Sequence, residues 1–138
     1  MPRILAFDYG TKRTGIAVTD PLQLIAAPLE TVPTDGVEAW LKTYTFTEEI
    51  ERFVVGEPLH ADGNPAQIHD KVIEFCQFLE REYPHIPITL QDERYSSERA
   101  KQVILQSGVR KKKRRDKSLV DKVAAVLILE DYMNEEVW

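Results

Sequence analysis

The chain carries a single cysteine, Cys76, which excludes an intramolecular disulfide and any multi-cysteine zinc site. Its three histidines, His60, His69 and His85, show no metal-ligand spacing, and no Ser–His–Asp or Cys–His arrangement is present. Nothing approaches the run of roughly 20 apolar residues that a membrane helix requires, and there are no internal repeats. Positive charge is not in excess either. Lys and Arg number 18 against 23 Asp and Glu, a formal net charge of −5, so any nucleic acid would have to be held by a local patch. Met1-Pro2-Arg3 leads straight into an apolar segment, without the pattern of a signal peptide, and this predicts a cytoplasmic protein.

What the chain does contain is enough apolar residues, 43% of 138, for one domain with its own core over residues 1–138. Ile4 to Phe7 is an unbroken apolar run, as expected of a strand covered on both faces. It ends on Asp8 and the short turn around Gly10, and a second strand, Thr14 to Val18, returns beside it. Leu24 to Val32 reads as a third strand, with Pro28 favouring an edge position. Thr34-Asp35-Gly36 opens a helix with Val37, Trp40, Leu41 and Tyr44 at helical spacing, Trp40 being a core anchor. Its end is blurred by Thr43, Thr45 and Thr47, which are poor helix formers. Arg52 to Gly56 is a fourth strand. Asn64-Pro65, with Gln67, marks the start of a helix whose buried stripe is Ile68, Val72, Phe75, Cys76 and Leu79. The Cys76 thiol is therefore expected to be buried and inert. Ile86 to Gln91 is the fifth strand. Ser96 or Ser97 caps the next helix, with Val103, Ile104 and Leu105 inside and Gly108 at its end. A last helix runs from Ser118 and Leu119 to about Asn134.

Three strands joined by short turns, then strands alternating with helices, predict an α/β protein. Its mixed five-stranded sheet has three antiparallel strands, then two parallel ones, flanked by helices. The first, fourth and fifth strands then point the same way, and Asp8, Glu57 and Asp92-Glu93 gather at one sheet edge, where open α/β sheets place their sites. Asp8 by itself reads equally well as a cap of the hairpin turn. Asp121, in the first turn of the last helix, matches a capping box with Ser118. Yet it also tops an apolar face containing Ala124, Ala125 and Ile128, small enough to let the helix approach the sheet. Three carboxylates gathered together require a compensating cation. Oxygen donors select Mg2+ or Mn2+, and two such ions about 3.5–4 Å apart would activate a water and stabilise the leaving oxygen of a phosphodiester. Alternation leaves open which of Asp92 and Glu93 faces inward: Asp92 shares a side with Ile86, Ile88 and Leu90, and Glu93 shares one with Thr89 and Gln91.

The cations are unevenly spread. Arg110, Lys111, Lys112, Lys113, Arg114 and Arg115 form an uninterrupted run immediately before the helix bearing Asp121. A solvated loop is the default for such a run. Its place beside a proposed phosphate-cleaving site favours salt-sensitive, sequence-indifferent backbone binding instead. Lys12 and Arg13, beside Asp8, and Arg94, beside Glu93, are further candidates for phosphate contacts, a plain salt bridge being an equal alternative for Arg94.

With these residues in place, the sequence resembles the YqgF family, also called RuvX, the Holliday junction resolvase-like nucleases of the RNase H superfamily. The resemblance covers nearly the whole chain. It is carried in order by Phe7-Asp-Tyr-Gly-Thr-Lys-Arg-Thr-Gly-Ile-Ala-Val18, Val55-Gly-Glu-Pro-Leu59 with Gly63, Asp92-Glu-Arg94, and Val120-Asp-Lys-Val-Ala-Ala-Val-Leu-Ile-Leu129. It implies an RNase H-like fold and metal-dependent endonuclease chemistry, with Asp8, Glu93 and Asp121 as catalytic and metal-holding acids. It also implies a role in trimming the 5' end of precursor 16S ribosomal RNA, or in resolving branched DNA. Two departures stand out: Glu57 where the family commonly has leucine, and Tyr95-Ser96-Ser97 where Leu and Thr are usual. The other readings are a non-catalytic RNA-binding module, its acids serving only as caps, and an actin-like phosphate-binding fold. The second is disfavoured because the chain lacks a second domain and a second Asp-Gly loop. A monomer or weak homodimer is expected.

Overall fold

The computed structural model describes residues 2–58, 67–93, 96–107 and 117–136, with the backbone alone at 96, 97 and 136. Five strands, β1 (Arg3–Tyr9), β2 (Arg13–Thr19), β3 (Ala26–Pro33), β4 (Ile50–Glu57) and β5 (Ile88–Asp92), form one sheet in the order β3-β2-β1-β4-β5. β1–β2 and β2–β3 pair antiparallel, and β1–β4 and β4–β5 pair parallel, as the alternation of elements predicts. β3 lies at the edge. Glu30 pairs with Ile16 and Pro28 with Ala17, so Leu29 is the extra residue of a bulge, the one interruption at which a proline is easily carried.

A single 3-10 turn (Thr34–Gly36) leads into α1 (Val37–Thr47), and α2 (His69–Glu82), α3 (Ser96–Gln106) and α4 (Lys117–Glu136) follow. The threonines that blur the end of α1 in the sequence extend it instead: Thr43 and Thr45 donate their hydroxyls to the carbonyls of Ala39 and Leu41, four residues back. α2 begins at His69, later than predicted, because Gln67 and Ile68 form a turn and the first helical bond runs from Val72 N–H to Ile68. The Asn64-Pro65 start, the Gly108 end of α3 and the side chains of Ser96 and Ser97 lie outside the described residues. Trp40 is partly buried against the core, stacked on Tyr44 at 4.9 Å, and donates its indole N–H to Glu30.

The two faces of the sheet differ in kind. Leu5, Phe7, Ile16, Val18, Phe53 and Val55 project to one side and meet Val37 and Leu41 of α1 and Val72, Phe75, Cys76 and Leu79 of α2. Ile4, Ala6, Ala17 and Val54 project to the other and meet Ala125, Ile128, Leu129 and Tyr132 of α4. α3 does not touch the sheet as a layer. It packs on the back of α4 through Ala100, Ala124 and Leu127, and Arg99 bridges to Asp131 at 2.9 Å. The prediction that Val103, Ile104 and Leu105 all face inward therefore fails for two of them. Ile104 is 4% exposed, whereas Val103 and Leu105 are 45% and 58% exposed, since a helix with a single packing partner buries only one stripe.

Candidate active site

β1 extends two residues further than its apolar run, to Tyr9, so Asp8 sits inside the strand, paired with Gly15, rather than capping the turn. Side chains alternate along a strand. Asp8 consequently follows Ile4 and Ala6 onto the α4 face, Gly15 accompanies Ala17 and Gly56 accompanies Val54. The turn after Asp8 is closed by other groups: Thr34 donates its hydroxyl to the Gly10 carbonyl at 2.7 Å, and its N–H goes to the Lys12 carbonyl at 3.0 Å.

β5 brings the second acid. Glu57 pairs with Asp92, and the Glu93 N–H continues the parallel ladder to the Glu57 carbonyl at 3.2 Å. Glu93 thus leaves the strand on the side of Gln91, the buried residue that donates to Glu135 of α4. The open question between the two neighbouring acids is decided for Glu93, whose carboxyl is hydrogen-bonded to that of Asp8. Gly56 makes room for it: a Cβ there would come within 3.0 Å of the Glu93 carboxyl and 2.8 Å of Ile128 Cδ1.

α4 brings the third. The backbone of Asp121 rests directly on Gly15, where an added Cβ would overlap the Asp121 carbonyl, so only glycine permits this approach. Thr31, beside Gly15 on β3, donates its hydroxyl to the Ser118 carbonyl at 2.6 Å and pins the first turn of the helix. Asp121 lies close enough to Asp8 for their charges to repel. Its Oδ2 accepts a hydrogen bond from Arg13 Nε at 2.7 Å, in a pair whose side chains are 40% and 19% exposed for Arg13 and Asp121.

The electrostatics follow from this crowding. Burial, then the charge of Asp8 and the hydrogen bond to it, push the Glu93 carboxyl up to about 10, while burial raises Asp8 from the ordinary carboxylate range. Both shifts have the same sign, because two buried acids this close resist carrying two negative charges. Such a pair has a strong affinity for positive charge, and its donors are all oxygen, the chemistry that suits a hard dication. Among the described residues no three His, Cys, Asp or Glu side chains are gathered closely enough to hold a metal. The donor set fits Mg2+ or Mn2+ in kind, with the third carboxylate engaged by Arg13.

Lys12 sits exposed in the turn beside Asp8. Arg94 and Arg110 to Arg115 lie outside the described residues, as do Tyr95, His60 and Gly63. Two features at the edge go beyond the sequence reading. His69, whose sequence spacing gives no ligand signal, places Nε2 at 3.0 Å from Glu57 Oε2, giving Glu57 a partner. The close seat of α4 on Gly15 is the other. A lone glycine inside an apolar strand signals such an approach, and Gly15 carried that signal.

Known proteins resemble this chain along nearly its whole length. A protein of Christiangramia forsetii is 45% identical over 135 residues, spanning 98% of this chain and all of that protein, and one of Porphyromonas gingivalis is 47% identical over 134 residues, spanning 97% of each. Both bear the name "Putative pre-16S rRNA nuclease". Among solved structures, the fowlpox virus Holliday junction resolvase superposes over 99% of both chains with a TM-score of 0.55 at 14% identity, a likeness of fold. The family profile described as "RuvX: Holliday junction resolvase" matches residues 2–135, and the chain belongs to the RuvX family.

Proposed function

We propose that this chain is a metal-dependent endonuclease that hydrolyses phosphodiester bonds in structured nucleic acid, its substrate being the 5' end of precursor 16S ribosomal RNA. The observation that carries the reading is the carboxyl pair of Asp8 and Glu93 at the carboxyl edge of the sheet, with Asp121 facing it from α4. The names of the relatives supply the substrate. Mg2+ or Mn2+ held by Asp8, Glu93 and Asp121 would supply polarisation of the scissile phosphate and compensation of its developing charge. The chain's own residues hold the acids at fixed spacing. The cations Lys12, Arg13, Arg94 and Arg110 to Arg115 bind the phosphate backbone, with an affinity that falls as salt rises. Such a substrate assigns the chain to the cytoplasm, where no membrane anchor is called for; among the described residues no helix is long and apolar enough to cross a bilayer.

Branched DNA is the second reading, favoured by the family's description. One experiment addresses both. Labelled precursor ribosomal RNA and a four-way DNA junction are incubated with Mg2+ or Mn2+ and either the natural chain or Asp8→Asn. Cleavage of RNA alone, abolished in Asp8→Asn, supports the first reading, and cleavage of the junction alone the second. Equal cleavage by Asp8→Asn removes the site assignment altogether.

A further inference from the structure

Arg13 begins β2, two residues before Gly15, so its side chain and the close seat of α4 lie on the same face of the sheet. Its backbone is held from several sides. Arg13 pairs with Pro33, the Lys12 carbonyl accepts from Thr34, and the Thr34 hydroxyl is hydrogen-bonded to that of Thr14 at 2.9 Å. Gly10 packs against the Arg13 carbonyl so tightly that a Cβ there would overlap it. Asp121 is equally fixed, by Gly15 beneath it and by Thr31 on Ser118. The ion pair therefore joins two anchored backbones. It does not arise from two long surface side chains that happen to meet.

A guanidinium cannot lose its charge and is a fork with several N–H donors, suited to carboxylate and phosphate alike. It carries one charge where a dication carries two. When such an ion takes the Asp121 carboxylate, the guanidinium beside it becomes a repelling neighbour as well as a displaced partner.

We infer that Arg13 is a placeholder cation: it neutralises Asp121 while no metal is bound, yields that carboxylate to a dication, and turns its guanidinium to the substrate phosphate. The inference rests on the reading of Asp8, Glu93 and Asp121 as metal-holding acids and adds to it a positioning residue that couples metal to substrate. The opposite role, Arg13 orienting Asp121 as a ligand, predicts the opposite sign.

Calorimetric titration of Mn2+ without nucleic acid reads that sign apart from activity. Arg13→Gln, at a side chain 40% exposed, is expected to bind Mn2+ about fivefold more tightly than the natural chain, and Arg13→Lys to fall between them. In an Asp121→Asn background the same Arg13→Gln change should alter affinity by less than about twofold, because the partner through which it acts is gone. With Mn2+ saturating, Arg13→Gln should bind RNA more weakly, its salt dependence reduced by about one phosphate contact. Unchanged or weaker Mn2+ binding by Arg13→Gln overturns the inference while leaving the metal site standing. Absence of Mn2+ binding by every variant and by the natural chain overturns both. Unaltered RNA binding removes the hand-over to phosphate.

Discussion

The two faces of one sheet perform different work, and the difference lies in side-chain volume. The face towards α1 and α2 is filled by Leu5, Phe7, Ile16, Phe53 and Val55, with Phe7 edge-on to Phe75 at 5.1 Å and tilted against Phe53 at 6.0 Å. The face towards α4 carries Ala6, Ala17, Gly15 and Gly56 in corresponding strand positions. Large residues keep a helix about 10 Å from a sheet, whereas glycine and alanine let backbone rest on backbone. Asp121 can face Asp8 and Glu93 only because α4 lies that close. The bulky face holds the molecule together, and the thin face brings Asp121 towards the Asp8–Glu93 pair at a cost in stability.

That contrast can be broken at its thin side first. Asp8→Asn should lower cleavage by at least about 100-fold, several kcal/mol of charge stabilisation, while leaving the far-UV circular dichroism spectrum unchanged. Gly15→Ala should impair both stability and metal binding, since its methyl group would overlap the Asp121 carbonyl and lift the first turn of α4. A melt together with a Mn2+ titration checks this, and retention of natural Mn2+ affinity would show that the close seat is dispensable. On the bulky side, Leu79→Ala, at a fully buried residue, should cost about 2–5 kcal/mol of stability yet leave the Mn2+ affinity of the folded protein unaltered.

Smaller effects sharpen the comparison. The Glu93 carboxyl is raised from 4.5 to about 10 in the folded chain, so the folded state binds its proton more tightly than the unfolded one. Its contribution to stability is full below about pH 4.5 and declines as pH rises towards 10. Without metal, Glu93→Gln should therefore melt at a temperature higher by about 3 °C or more at pH 8, with the gap closing on acidification. Added Mg2+ should reverse the order. Least of all, burial pushes the Cys76 thiol from 9.0 up to about 11. Its thiolate fraction at pH 8 is then lower by about 100-fold, and iodoacetamide should label it only after unfolding.

How much of this was readable beforehand depends on the range of the interaction. The antiparallel meander and the parallel run of β1, β4 and β5 follow from short turns, alternation and connection handedness. Ser118-x-x-Asp121 read as well as a helix cap as it did as a site acid, because both uses favour a carboxylate in the first turn. Leu105 and Val103 fell on the exposed side of α3 because apolar spacing cannot say whether a helix meets one partner or two.

The chain's own order of residues determined the five strands, the sheet edge at which Asp8 and the Asp92-Glu93 pair emerge, and the family to which the chain belongs, since these depend on alternation and on short contiguous motifs. Tertiary structure alone decided that Glu93 rather than Asp92 meets Asp8, that Arg13 holds Asp121, and that His69 stands beside Glu57. Those contacts join residues remote along the chain, and the one between Arg13 and Asp121 depends on how closely α4 settles on Gly15.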